Sequence, residues 1–233
     1  PVVTLPQLSI FPTRATDCLA DVTITFRATD NCSPFVELEI PQLMVAPNRI
    51  SNGTFIMYNS TRWVTKANAD GSFTVTVKNL PEGKHDLIVS VRDGCGNLSL
   101  PTRIPFEVKD QKAPAPICIK GLSLSLMSDG QGGGTMAVWA TDFVASAIFD
   151  CNGQGEANAQ GLKRITKYSI NRKGAPAIVT STGLVLTCAD KGKVVEVELH
   201  AWDEAGNHDF CVTYVEVQDN NKVCPGSVVE AYT

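Results

Sequence analysis

This sequence lacks features that several functional classes of protein require. The net charge is -4, which gives no basic surplus for a nucleic-acid surface. No apolar run approaches the roughly 20 residues that a membrane-spanning helix needs. The glycine-rich residues 130–134 are not followed by the lysine and helix of a phosphate-binding loop. We therefore expect neither nucleic-acid binding nor membrane insertion.

Catalytic patterns are also missing. The sequence contains no Gly-x-Ser-x-Gly elbow and no clustered Cys-x-x-Cys pairs. Its three histidines are His85, which we place in a turn, His200, which we place on the outward face of a strand, and His208. His200 and His208 could share a transition metal across a hairpin, but solvated surface histidines are the commoner outcome. The sequence predicts a protein that is not an enzyme.

The chain does contain many cysteines, glycines and prolines. Eight cysteines are spread through both halves, beside turns rich in the 18 glycines and 13 prolines. Such a pattern is typical of disulfide-bonded proteins from an oxidising compartment. We therefore expect an extracellular or cell-surface location, and we interpret the chain as an excerpt of a longer secreted protein.

One stretch occurs twice and organises the whole chain. Residues 87–97 and 197–207 each combine an apolar strand with a turn that begins with aspartate and ends with Gly-Asn. Each copy is followed by a second strand that ends in an acidic residue, with one extra residue in the first copy. The offset of about 110 residues is the size of an immunoglobulin domain. The chain is therefore an internal duplication.

Strand periodicity dominates both copies. Residues 21–29 alternate, with Val22, Ile24 and Phe26 on one face and threonines on the other. Residues 136–140 repeat this pattern in the second copy, and short strands recur with turn signals between them. An opening strand is predicted over residues 2–10. The pattern predicts an all-β protein of two tandem immunoglobulin-like β-sandwiches joined by a short proline-rich linker, residues 110–116.

The domain boundaries follow from this duplication. We predict a first domain over residues 1–113 and a second over 114–225. The second domain carries an insertion, residues 143–162, which is rich in alanine, glycine and asparagine and could hold a short helix over 143–148. Residues 226–233 are interpreted as the start of a following repeat or as an exchanged strand.

Comparison of the two copies suggests one disulfide bond. The second copy has Cys118 and Cys211 at positions where the first has Thr4 and Thr102. Because both cysteines are present in one copy and absent from the other, we pair Cys118 with Cys211. A link over such a long loop stabilises the fold by ~4 kcal/mol in the chain-entropy model.

A second bond is predicted at one end of the first domain. Cys32 follows the second strand and Cys95 lies in the final hairpin turn, where Ala205 replaces it in the second copy. We pair Cys32 with Cys95. Four cysteines then remain, with three possible pairings, including an intradomain bond between Cys151 and Cys188 or links between neighbouring units. These four are Cys18, Cys151, Cys188 and Cys224.

Three acidic positions recur in both copies: Asp30 and Asp142, Asp93 and Asp203, Asp110 and Asp219. In an immunoglobulin-like chain the exit acid of one domain approaches the entry end of the next. Asp110, Asp142 and Asp203 are therefore candidates for a Ca²⁺ site, because calcium takes oxygen ligands. The alternative is that these side chains cap turns by accepting backbone N–H bonds. Calorimetric titration with Ca²⁺ separates the two.

Two tryptophans, Trp139 and Trp202, flank matched strand ends. They either form an exposed aromatic patch for a ligand or neighbouring chain, or they pack beneath the insertion.

The turn motifs carry a family likeness. The Val-Arg-Asp-Gly-Cys-Gly-Asn stretch at 91–97, the Leu-Pro-Glu-Gly lead-in at 80–83 and the linker through Cys118 resemble hyalin-repeat modules, which are immunoglobulin-like and serve in adhesion. The second copy, at 139–143, 201–207 and 217–220, looks like the tandem repeats of very large Bacteroidetes surface proteins. The likeness implies type IX export and a role as adhesin or surface filament, and it supplies no catalytic residue.

The expected function is therefore non-enzymatic. We predict a disulfide-stabilised structural and adhesive repeat segment of an extracellular protein or filament. Its partners would be neighbouring repeats or identical protomers, and glycans or surface proteins are further candidates. The alternative is a carbohydrate- or protein-binding accessory module of a secreted enzyme, which exposed aromatics on one sheet face would favour.

Overall fold

The computed structural model describes residues 1–4, 6–31, 36–47, 56–58 and 63–226. The chain divides into two compact units, Pro1–Gln111 and Lys112–Thr233. This division falls two residues before the boundary predicted from the duplication. The residues beyond 226, interpreted above as a further repeat or exchanged strand, lie outside the described part.

The described residues of the first unit form nine strands in two sheets. One sheet has the order β1-β3-β7-β6 and the other β2-β9-β8-β4-β5. The strands are β1 (Val2–Thr4), β2 (Ser9–Pro12), β3 (Leu19–Thr29), β4 (Val36–Pro47), β5 (Ile56–Tyr58), β6 (Trp63–Ala67), β7 (Ser72–Pro81), β8 (Gly83–Asp93) and β9 (Thr102–Lys109).

The opening segment of the first unit crosses from one sheet to the other. β1 pairs antiparallel with β3, whereas β2 pairs parallel with β9. The single strand predicted over residues 2–10 is therefore wrong. Pro6, which has no N–H to donate to a ladder, lies between the two pieces. Strand periodicity does not reveal such a switch, because both pieces are extended.

Alternation along β3 builds the core of the first unit. Val22, Ile24 and Phe26 are at most 5% exposed, as predicted. The hydroxyls of Thr23 and Thr25, on the other face, bond to threonines of β7 at 3.1 and 3.2 Å. The buried residues from both sheets form one apolar cluster that includes Phe73, Val75, Val77, Leu80, Leu87, Val89, Val91, Ile104, Phe106 and Val108.

The second unit, as far as residue 226, also contains nine strands, together with two short 3-10 helices, Ala140–Phe143 and Cys188–Asp190. Its sheets are β10-β18-β17-β15, β11-β12-β16 and the small pair β13-β14. The strands are β10 (Leu122–Ser125), β11 (Met127–Ser128), β12 (Gly134–Trp139), β13 (Phe149–Asp150), β14 (Lys163–Arg164), β15 (Lys167–Arg172), β16 (Gly183–Thr187), β17 (Val194–Trp202) and β18 (His208–Gln218).

The two units share their central strand pairings. β10 runs parallel to β18, as β2 does to β9, and the β17-β18 hairpin corresponds to β8-β9. The other strand pairs within each unit are antiparallel, and each unit has its own apolar core between its two larger sheets. This strand order is that of an immunoglobulin-like sandwich. The predicted fold class, all-β with two tandem immunoglobulin-like domains, is confirmed.

The insertion does not form the predicted helix over 143–148. The 3-10 helix ends at Phe143, and the chain then pairs with the opening of the unit. Ile119 N–H donates to the Phe143 carbonyl at 2.9 Å, and Ala145 N–H donates to the Ile117 carbonyl at 2.8 Å. Six residues are too few to hold a helix without tertiary support. Extended pairing satisfies these backbone groups instead, and Phe143 is fully buried.

Within the described ranges, no helix has the length and apolar character to cross a membrane.

Candidate functional site

The repeated hairpin turn has the same hydrogen bonds in both units. Asp93 accepts the backbone N–H of Asn97 at 2.7 Å and its side-chain amide at 2.7 Å, and it also accepts Cys95 N–H at 2.9 Å. Asp203 accepts the backbone and side-chain N–H groups of Asn207, both at 2.7 Å. Bonds from the Asn97 side chain lower the pKa of Asp93. The carboxylates therefore close the turns.

Glycine completes each of these turns. Gly96 and Gly206 have φ values of +89° and +88°, in the left-handed region that side-chain-bearing residues avoid. Aspartate, glycine and asparagine thus act together to reverse the chain, which explains their repetition in both units.

The three calcium candidates lie in different settings. Asp110 belongs to the first unit and is 1% exposed. Asp142 and Asp203 belong to the second, where Asp142 accepts Trp139 N–H at 2.8 Å and both oxygens of Asp203 accept bonds from the turn. These bonds support the turn-capping interpretation for Asp142 and Asp203. Calcium binding by the three residues stays a prediction.

The exit acid of the second unit has a structural role that the sequence did not reveal. Asp219 is almost fully buried as a side chain and lies 3.1 Å from the Lys191 ammonium. It also accepts N–H bonds from Val223 and Cys224, at 2.8 and 3.3 Å. Only the fold brings residues 191 and 219 together. Asp219 thereby holds the segment that carries Cys224.

Two disulfide bonds link parts of the second unit. Cys118 and Cys211 are joined with their Cα atoms 6.0 Å apart, so the predicted pair is confirmed. Cys188 bonds Cys224 instead of Cys151. The suggested Cys151–Cys188 bond is therefore wrong, and Cys224 is bonded within its own unit.

The predicted bond between Cys32 and Cys95 is also wrong. Cys95 is a free, exposed thiol at the hairpin turn. Cys32 lies outside the described residues. A shared end of the sandwich is too loose a criterion, since a disulfide requires Cβ atoms about 3.8 Å apart. Cys18 and Cys151 are each disulfide-bonded.

His85 and His200 are buried, contrary to the prediction, whereas His208 is exposed. His85 lies in β8 and is 2% exposed, with Nε2 donating to the Pro81 carbonyl at 2.9 Å. His200 does lie on the outer face of β17 but is 3% exposed. Its ring is covered by His208 and Phe210, with ring centroids 5.5 and 5.2 Å away. Alternation identifies the face but not the side chains that cover it.

The surroundings of His200 disfavour the charged form of its ring. Neither ring nitrogen has a hydrogen-bond partner within the described residues, and the Glu198 carboxylate is 3.7 Å from Nε2. Burial, followed by the nearby His208, lowers the pKa of His200. Among the described residues, no third histidine, cysteine or carboxylate lies close enough to both His200 and His208 to complete a metal site. The cluster is therefore an aromatic packing group.

The two tryptophans have different environments. Trp202 is partly buried, stacks on His208 at 3.9 Å and donates its indole N–H to Ser169 at 2.8 Å. Trp139 is 54% exposed at the end of β12. An exposed aromatic surface is therefore formed by Trp139, and Trp202 is mostly a packing residue.

No protein-family model and no curated protein sequence matches the chain. Among solved structures it is similar to the titin I-band fragment I67-I69, at 9% identity and a TM-score of 0.40. That match covers 91% of this chain, which spans 64% of the fragment. It is also similar to the fibronectin(III)-like modules of Clostridium thermocellum CbhA, at 11% identity, 100% coverage of both chains and a TM-score of 0.34.

A third similar structure is that of Dpr11 IG1 bound to DIP-gamma IG+IG2. The identity is 9%, the TM-score is 0.38, and the match covers 94% of this chain and 100% of that one. The immunoglobulin-like assignment of this chain rests on the strand order described above.

Proposed function

We propose that this chain is a non-enzymatic structural and adhesive segment of an extracellular protein. The observation that carries the proposal is the Cys118–Cys211 bond, which fastens the opening segment of the second unit to its last strand. The chain enters and leaves the sandwich through these two segments. A covalent link between them keeps the terminal strands from separating, which suits a domain under tension in a linear array.

The disulfides also support the proposed location. Six described cysteines are bonded, and such bonds persist in oxidising environments outside the cytoplasm. The turn motifs resemble hyalin-repeat modules and the tandem repeats of large Bacteroidetes surface proteins. On that likeness, the chain is part of a cell-surface adhesin or filament whose partners are neighbouring repeats or identical protomers.

The repeated acids support a non-catalytic role. Asp93 and Asp203 are used in closing turns, and the buried His200 has no nucleophile or base bonded to it within the described residues. The repetition of these aspartates is explained by the turn that they close in each unit, without a catalytic role.

Adhesion under flow tests the proposal. Beads coated with the chain are passed over surfaces that carry glycans, extracellular proteins or the same chain. We expect retention above that of beads carrying reduced and alkylated chain, whose disulfide-dependent fold is lost. Equal retention on every surface would contradict an adhesive role.

A carbohydrate- or protein-binding accessory module is the second candidate. Exposed aromatic side chains favour it, since Trp139 is 54% and Phe210 47% exposed. A glycan array without hits, together with no binding to a panel of proteins, would count against it.

A further inference from the structure

A cleft of about 490 Å³ opens beside Trp139 in the second unit. Its walls come from the end of β12, the insertion, the start of β15 and the segment before β16. The volume is in the range of small-ligand sites. The residues that line it are Trp139, Ala140, Thr141, Gln154, Thr166, Lys167, Tyr168, Val179 and Thr182.

Trp139 forms a fixed flat wall of this cleft. It pairs with Gly183 across the β12-β16 ladder, and a Cβ added at Gly183 would lie 3.0 Å from the indole carbons. The indole therefore rests directly on the glycine backbone. Its backbone N–H is held by Asp142, and 54% of the residue is exposed to solvent. One face is supported and the other is available for stacking.

Gln154 anchors the insertion as the second wall. Its carbonyl oxygen accepts the backbone N–H groups of Thr166 and Lys167, at 3.0 and 3.2 Å. Its amide donates to the Trp202 carbonyl at 2.9 Å. These three bonds fasten the loop to β15 and β17, so the cleft is formed before any ligand arrives.

Polar groups at the rim are available to a ligand. Within the described part of the chain, no hydrogen bond or ion pair engages the hydroxyls of Thr141, Thr166 and Thr182 or the ammonium of Lys167. All four residues are exposed. The lining carries one cation, Lys167, and no carboxylate. Its charge therefore complements an anion.

We infer that the Trp139 cleft binds an acidic sugar, a pyranose ring that carries a carboxylate. The slightly positive C–H groups of the ring pack on the negative indole face. The carboxylate pairs with Lys167, and the sugar hydroxyls bond to the threonines. An acidic sugar would be the ligand class of the proposed adhesive function. The biological role of the cleft rests on that proposed function, whereas sugar binding itself does not.

The matching place in the first unit shows a different arrangement. Arg27 stands where the second unit has Trp139, and Ser72 lies opposite it where the second unit has Gly183. The Arg27 guanidinium pairs with the Asp70 carboxylate at 2.8 Å. The first unit therefore has neither the aromatic wall nor an available cation there, and the inference applies to the second unit alone.

NMR titration of the whole chain tests the inference. The chain has three tryptophans, and the indole N–H signal of Trp139 is assigned from its absence in Trp139→Phe. We expect oligogalacturonate to shift this signal, and a neutral galacto-oligosaccharide of equal length to bind roughly tenfold more weakly. No shift with either sugar, equal affinity for both, or a shift with a peptide library only would overturn the inference.

Variants locate the binding to the cleft. Trp139→Ala is expected to weaken binding roughly tenfold, and Trp139→Phe, which keeps a flat ring, less. Lys167→Gln should remove the preference for the acidic sugar. Lys193→Gln, which changes an exposed charge outside the cleft, should leave binding unchanged. Circular dichroism confirms folding, and unchanged binding in folded Trp139→Ala would refute the site.

The outcome is separable from that of the adhesive proposal. Oligogalacturonate binding without bead adhesion refutes the adhesive role and leaves the site standing. Bead adhesion that is insensitive to Trp139→Ala, without any NMR shift, refutes the site and leaves the adhesive role.

Discussion

Removing the Cys118–Cys211 bond should strongly destabilise the second unit. The bond joins residues separated by 93 positions, and the chain-entropy model assigns such a loop roughly 4.6 kcal/mol at 25 °C. The Cys188–Cys224 bond spans 36 positions and is assigned roughly 3.8 kcal/mol. For a unit of about 120 residues, the larger loss lowers Tm by roughly 18 °C. Removing the Cys118–Cys211 bond should therefore lower the free energy of unfolding more than removing the Cys188–Cys224 bond.

Differential scanning calorimetry and urea unfolding of the whole chain measure these losses. The double variants Cys118→Ser with Cys211→Ser, and Cys188→Ser with Cys224→Ser, are compared with the oxidised chain. We expect the calorimetric transition of the first unit to stay in place. A loss below about 1 kcal/mol for the long loop, or a larger loss for the short one, would refute the loop-entropy reasoning.

Three further results are expected. Asp203→Ala should cost about 1–3 kcal/mol in urea unfolding, because the partly buried N–H donors of Asn207 lose their acceptor; no change in stability would contradict the capping role. Burial lowers the pKa of His85 and His200 below the ordinary 6.5, so the unfolded chain binds more protons below that pH. Stability should be full above pH 6.5 and fall as the pH drops through 6.5 towards the folded value; in His200→Phe the fall in Tm should be smaller, and an unchanged profile would contradict this. Calorimetric titration with Ca²⁺ should give heat and raise Tm if Asp110, Asp142 and Asp203 bind it; no heat and no change in Tm would leave turn capping as their role.

Local patterns predicted the strands well where one face is buried. Residues 21–29 alternate because Val22, Ile24 and Phe26 enter the core, and this requires no knowledge of the partner strands. The division of the opening segment into β1 and β2 depends on which sheet each piece joins. That choice is made by tertiary pairing, and an extended segment has the same local pattern in both cases.

The candidate sites were predicted with less success, for related reasons. Comparison of the two copies identified Cys118–Cys211, since gain of both cysteines together is visible in the sequence. For Cys95 the comparison showed only that Ala205 replaces it in the second copy, which identifies no partner, and Cys95 is a free, exposed thiol. The burial of His200 depends on rings from the neighbouring strand β18, which no single-strand pattern contains.

The Trp139 cleft shows the same dependence on the fold. Trp139 was noted as a candidate ligand contact, but Gly183 and Lys167 are brought beside it only by strand pairing and the anchored insertion. The sequence shows the residues that line the cleft, but it does not show that they lie close together in the fold.

Electron microscopy of the native full-length material tests the central claim most directly. If the chain is a segment of an extended surface array, the images should show a regular rod whose repeat matches one or two immunoglobulin-sized units. Isolated globules or flexible monomers would contradict the filament, and a single compact particle for the whole protein would contradict the linear array.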